Sequence, residues 1–137
     1  MTRYVIGPDV ALELARLRPQ LPARHRLLAP TLLRSQVLAA LYQQVRAGTL
    51  AQAEADQRLD AIRALPLPLP LRLLGDRVLQ RQAWRIAQEL DWPDTFVAEF
   101  LALTRLQADA LVLRDAQLAA VARRIVPVAP FDELLAS

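Results

Sequence analysis

The apolar positions of this chain change period several times, and each change marks an element. Tyr4-Val5-Ile6 is a short apolar run that stops at Gly7-Pro8 and reads as a strand. Asp9 is then placed to cap a helix to about Leu17, with Val10, Leu14 and Leu17 on one face. Pro19 and Pro22 break that pattern and leave an arginine-rich loop. Pro30-Thr31 starts an amphipathic helix to about Arg46, with Leu33, Val37, Leu41 and Val45 at helical spacing and a stop at Gly48. Thr49 is the expected cap of the next helix, Leu50 to Leu65. Ala53, Leu59, Ile62 and Ala64 face inward there, and Glu54, Asp56 and Arg58 outward. Together the two form an antiparallel helical hairpin.

Residues 65–75 read LPLPLPLRLLG. Proline at every second position removes backbone donors from one side, which suits an extended edge strand. A helix follows from Asp76 to about Leu90, with Val78, Leu79, Ile86 and Leu90 as its buried stripe and Trp84 near it. Residues 91–95 are a boundary, and a long helix then runs to about Leu106. Ala108 to Leu113 is an apolar, strand-like run leading to Asp115. A short helix from Ala116 to Ala122, a strand from Ile125 to Val128 and a final turn from Phe131 to Leu135 complete the pattern. Strands alternating with helices predict an α/β fold with a small parallel sheet covered on both faces. In such sheets functional groups gather at the C-terminal ends of the strands.

Composition narrows the chemistry. A length of 137 residues predicts a single domain, and an apolar share of 54% against 23% charged predicts a packed globule. No apolar run approaches the roughly 20 residues that span a bilayer. The N-terminus lacks a basic segment followed by an apolar one, so a cytoplasmic protein is expected. With no cysteine and one histidine, His25, thiolate sites and Ser-His machinery are excluded as leading readings. Metal chemistry would have to use Asp and Glu around a hard cation. All basic residues are arginine, which binds phosphates and carboxylates through two parallel bonds. The net charge is only +3, but Arg16, Arg18, Arg24, His25 and Arg26 crowd one stretch and form a candidate binding patch.

Three stretches carry a resemblance: the opening strand, turn and helix; Pro-Thr-Leu-Leu-Arg-Ser-Gln at 30–36; and WPDTFVAEFLALTRLQADALVLRDAQL at 92–118. Together they resemble the PIN domain, in its VapC-type toxin branch, over about residues 3–134. The resemblance implies a three-layer α/β/α sandwich with a small central parallel sheet. It also implies four acidic residues that bind Mg²⁺ or Mn²⁺ and hydrolyse RNA. Carried across residue by residue, those four positions are Gly7, Gln36, Val97 and Asp115. Three are uncharged, and a carboxylate with one amide carries too little charge for a tight divalent site. Asp115 is left as a weak metal ligand, and no residue stands out as catalytic.

Asp9 and Asp94 are the nearest substitutes. The plainer role of Asp9 is a helix N-cap, and that of Asp94 is capping or compensating the dipole of the helix it precedes. Glu99, two residues from Val97, is expected to project elsewhere. A floor of Gly, Gln and Val also relieves the repulsion of clustered carboxylates, and Gln36, Val97 and Asp115 could line a mixed pocket for a small molecule. The resemblance thus implies a catalytically degenerate PIN-type protein that needs no cofactor. It would act by binding a protein partner or RNA. The alternative is an Mg²⁺- or Mn²⁺-dependent ribonuclease, the toxin of a toxin-antitoxin pair, with relocated ligands. A third reading is a decoy that sequesters an antitoxin. The implied partners are a second copy of the chain, an antitoxin-like protein or RNA, with no membrane.

Overall fold

The computed structural model describes residues 1–67 and 76–136. Four parallel strands form one sheet in the order β2-β1-β3-β4: β1 (Thr2–Ile6), β2 (His25–Leu28), β3 (Ala110–Val112) and β4 (Val128–Ala129). The helices are α1 (Pro8–Leu17), α2 (Leu32–Arg46), α3 (Gln52–Arg63), α4 (Asp76–Glu89), α5 (Phe96–Gln107), α6 (Ala116–Ala122) and α7 (Phe131–Leu135). They flank the sheet in a three-layer α/β/α arrangement, as the alternating pattern predicts. Helix α1 packs on α2 and α3, whereas α4 packs on α5, which lies against β1 and β3. Among the described residues, no helix is long and apolar enough to cross a membrane.

The central position of β1 follows from its sequence. Tyr4, Val5 and Ile6 are all buried, as an interior parallel strand with both faces covered requires. Helix α5 is its counterpart in the helical layer, with Ala98 and every residue from Phe100 to Thr104 buried. Thr104 satisfies its hydroxyl inside that helix by donating to the Phe100 carbonyl at 2.8 Å.

Several expected elements differ. The arginine-rich loop contains β2, an edge strand in which His25, Leu27 and Leu28 are buried and Arg26 is exposed. The last strand is Val128–Ala129 rather than Ile125–Val128, because Ile125 and Val126 still bond back to Ala122 at the end of α6. Thr49 does not cap α3, whose N-cap is Ala51. It closes α2 instead. Gly48 adopts φ 80°, and the Thr49 N–H and hydroxyl both donate to the Gln44 carbonyl, a Schellman-type ending. In α3, Ile62 is buried and Leu59 packs against the core as expected, but Ala53 and Ala64 are exposed and Ala55 is the buried alanine. Val78 is also exposed, and Leu79, Ala83, Ile86 and Ala87 form the buried stripe of α4. Of the proline-rich stretch, residues 65–67 form no strand, and the rest of the predicted edge strand lies outside the described residues.

The C-terminal helix is tied to the sheet through β1 and β2. The Tyr4 hydroxyl donates to Glu133 Oε2 at 2.7 Å, and its ring meets His25 edge-on at 5.1 Å. His25 Nδ1 lies 2.9 Å from the Leu134 carbonyl, which only accepts, so that nitrogen carries the hydrogen. Burial, reinforced by the Glu133 bond, raises the Tyr4 phenol above its ordinary 10.0. Tyr4→Phe should cost about 1 kcal/mol at neutral pH in a urea titration. As pH rises past 10, the unfolded phenol ionises before the folded one, so wild-type stability falls. The phenylalanine variant should lack that part of the alkaline loss. An unchanged alkaline limb would exclude Tyr4 as its source.

Candidate functional site

The strand order places the topological switch between β1 and β3, because the chain leaves β1 for β2 on one side and later enters β3 on the other. Open α/β sheets take their ligands beyond the strand ends at such a point. The residues there are Gly7 to Asp9 after β1 and Leu113 to Asp115 after β3.

Gly7 ends β1 with its N–H donating to the Val112 carbonyl at 3.1 Å. Its φ of −77° is open to any residue, so backbone freedom is not what this position needs. It needs space. A Cβ built on Gly7 would lie 2.6 Å from Leu113 Cδ2 and 2.9 Å from Asp9 Oδ1. A side chain at Gly7 would therefore require the ends of Leu113 and Asp9 to shift. Pro8 begins α1, where a missing N–H costs nothing and the fixed φ suits the helix.

Asp9 lies within the first turn of α1 and does not cap it: the N-cap is Gly7. The N-cap expectation fails because the carboxylate has partners from across the sheet. Its Oδ2 accepts the Arg114 N–H at 2.7 Å and the Asp115 N–H at 3.1 Å, while Oδ1 accepts the Val10 N–H at 2.8 Å. Asp115 is the residue that caps. Its Oδ1 accepts the N–H groups of Gln117 and Leu118 at 2.9 and 3.0 Å, at the start of α6. Between them, Arg114 reaches Glu13 Oε2 at 2.8 Å and lies 5.7 Å from the centre of the Phe131 ring. Glu13 also binds Arg16, and the two guanidinium groups hold its carboxyl below the ordinary range, with Arg16 the stronger influence.

The other expected positions sit on α2 and α5. Gln36 is partly buried, and its Oε1 is buried with no hydrogen-bond partner among the described residues. Val97 is a partly buried residue of the first turn of α5. Asp94 precedes the N-cap of α5, which is Thr95, and accepts the N–H of the first helical residue, Phe96, at 3.1 Å. Asp9, Asp94 and Asp115 do not converge as a group that could hold a cation, so no relocated acidic site is assembled from them. Among the described residues, no three His, Asp or Glu side chains converge as a metal cage. Glu99 is more unusual than its spacing implies. It is only partly exposed, and burial raises its carboxyl above the ordinary value of 4.5. Its sole sequence signal is a charge among the apolar residues of α5.

Two arginines of the candidate basic patch have carboxylate partners, each shared with a second arginine. Arg16 pairs with Glu13, Arg18 with Glu54 at 3.1 Å, and Arg24 donates to the Ala136 carbonyl at 3.2 Å. His25 is buried and leaves the patch altogether. Arg26 is exposed on the edge strand.

The fold has a solved counterpart. The crystal structure of PAE2754 from Pyrobaculum aerophilum superposes with a TM-score of 0.71, covering 98% of this chain and 93% of that one at 18% sequence identity. At that identity the likeness is one of fold. No protein-family model and no curated protein matches the chain.

Two outcomes test this site. Gly7→Ala should cost about 1–3 kcal/mol through overpacking, and less in a Leu113→Ala background. Equal costs in both backgrounds would show that Leu113 is not the obstacle. Glu99→Gln should gain on wild type in unfolding midpoint as pH rises from about 4 to 7. The unfolded carboxyl ionises first, so the buried one subtracts stability across that window. A pH-independent difference would mean that Glu99 bears no buried charge.

Proposed function

We propose that this chain is a catalytically degenerate, VapC-like PIN domain. It acts in the cytoplasm by binding a protein partner or RNA, with no cleavage step. The observation that carries this reading is the state of the switch-point crevice. A side chain at Gly7 would require the ends of Leu113 and Asp9 to shift, and the two nearby carboxylates, Asp9 and Asp115, each hold two or more backbone N–H groups. A divalent ion of the Mg²⁺ type needs anionic oxygens free to converge on it. Asp9 would have to release amides held by both of its oxygens, Asp115 keeps only Oδ2 clear of its capping bonds, and Gln36 supplies a neutral oxygen. The donor set does not fit the ion, and no catalytic step is assigned to it. What the scaffold keeps is a shaped surface suited to a second copy of the chain, an antitoxin-like segment or RNA.

The test is calorimetric titration with Mg²⁺ and Mn²⁺, alongside an RNA-cleavage assay of wild type and Asp115→Asn. Asparagine keeps a capping oxygen and removes the charge, so stability should change by less than about 0.5 kcal/mol. Asp115→Ala should lose about 1 kcal/mol. No binding heat and no metal-dependent cleavage are expected. Cleavage that requires the metal and disappears in Asp115→Asn would establish the ribonuclease reading instead.

A further inference from the structure

Helix α4 has an outer face that the core does not explain. Leu79, Ala83, Ile86 and Ala87 bury its inner face. On the other side Arg77, Gln80, Arg81, Trp84, Arg85 and Gln88 are all exposed, and Trp84 is 64% exposed. A lone exposed ring is common on protein surfaces; what distinguishes Trp84 is the arginines that flank it. Unpaired arginines also occur singly or in adjacent pairs elsewhere, at Arg26, Arg34, Arg46, Arg123 and Arg124, but only α4 aligns three of them on one helix face beside an exposed ring among the described residues. Arg16, Arg18, Arg58, Arg63 and Arg114 each pair with a carboxylate. Arg77, Arg81 and Arg85 form no ion pair or hydrogen bond among the described residues. They recur every four residues, a rise of about 6 Å per step along one face.

Trp84 stands between two open grooves. One, of about 380 Å³, is lined by the three arginines with Gln80 and Gln88. The other, of about 480 Å³, is walled by Trp84, Gln88, Asp91, Trp92 and Asp94. The end of α4 creates this second groove. Asp91 takes φ 55°, and the Trp92 N–H bonds back to the Ala87 carbonyl at 2.9 Å, which folds Trp92 against the helix end. The result is a cationic row, a free indole face and, beyond it, a recess with carboxylate and amide oxygens.

We propose that the outer face of α4 binds single-stranded nucleic acid. Phosphates lie along Arg77, Arg81 and Arg85, and one base stacks on Trp84 with its edge toward Asp91 and Asp94. Guanidinium groups supply the charge for the backbone, and an aromatic face accepts any unpaired base. The carboxylates accept hydrogen bonds and so favour bases that bear amino groups. An acidic protein segment would satisfy the arginines but meet Asp91 and Asp94 with like charge. The surface uses none of the strand-end residues, so it holds or falls independently of the reading above.

The experiment is fluorescence anisotropy with labelled oligoadenylate and oligouridylate of about twelve nucleotides, the deoxyadenylate counterpart and the paired duplex. Saturable binding of single strands, adenylate ahead of uridylate, is expected, and the RNA and DNA strands compared show whether the 2′-hydroxyl contributes. Trp84→Ala should weaken binding by roughly ten- to a hundredfold, with Trp84→Phe recovering most of it. Arg81→Gln with Arg85→Gln should lower the slope of log affinity against log salt by about 1.4. Arg46→Gln, at an exposed position in the last turn of α2, should change neither quantity. All of these side chains are exposed, so circular dichroism should be unchanged. The proposal is overturned if no strand binds, if binding survives the Trp84 and arginine changes, or if the duplex binds as tightly. It is also overturned if Trp84→Ala dissociates a dimer while strand binding stays constant, because the face would then join copies of the chain. Whether the bound strand is recovered intact bears on the crevice and not on this surface.

Discussion

The carboxylate of Asp9 joins the two halves of the sheet's functional end. Its Oδ2 receives the backbone N–H groups of Arg114 and Asp115, residues more than a hundred positions away, and so fixes the exit of β3 against the start of α1. With that exit fixed, Leu113 packs against Gly7 and Asp115 is placed to cap α6. Arg114 is directed outward, between Glu13 and Phe131. A hydrogen bond to a charged acceptor is among the stronger contributions a single contact makes. The same commitment takes up Oδ2, which holds two amides, and leaves Oδ1 with the single N–H of Val10.

This local arrangement lets two carboxylates lie near the switch point without gathering there. Carboxylates gathered at strand ends repel one another unless a cation lies between them, and that repulsion opposes folding. Here the acids near the switch point are separated by the amides they hold, and a leucine methyl fills the adjacent space. The remaining electrostatic cost sits elsewhere, at the partly buried Glu99, whose carboxyl is raised by desolvation alone. Gln36 retains a buried oxygen without a partner. Among the described residues no other side-chain polar atom is fully buried and unpartnered, whereas Glu99 keeps part of its surface in water.

Periodicity made most of the architecture legible, and the misses have separate physical causes. β1, α1, α2, α5 and α6 follow from apolar spacing, because each buries one clear face or both. β2 does alternate, with His25 and Leu27 inward and Arg26 outward, but its arginines and preceding prolines look like a loop. The register of α3 is ambiguous because alanines occupy both of its faces, so Ala53 and Ala55 cannot be ranked by hydropathy. Thr49 lies between two helices, where a hydroxyl can serve either, and the positive φ of Gly48 decides for the preceding one. Asp9 has the sequence context of a cap. Its partners come from a strand exit distant in the chain, and no local pattern encodes them.

Charge was the least legible property, because a count of arginines does not show which of them have partners. The stretch from Arg16 to Arg26 looks strongly basic, yet folding places Glu13 and Glu54 against its arginines and buries its histidine. Helix α4 has fewer basic residues per length and looked like an ordinary amphipathic helix with its tryptophan near the core. Packing Leu79, Ala83, Ile86 and Ala87 inward leaves Arg77, Arg81 and Arg85 beside an exposed indole, with no acid of the described residues paired to them. A paired guanidinium contributes little field beyond its own ion pair, whereas unpaired ones in a row sum. The net charge of +3 therefore understates what a polyanion would meet on that helix.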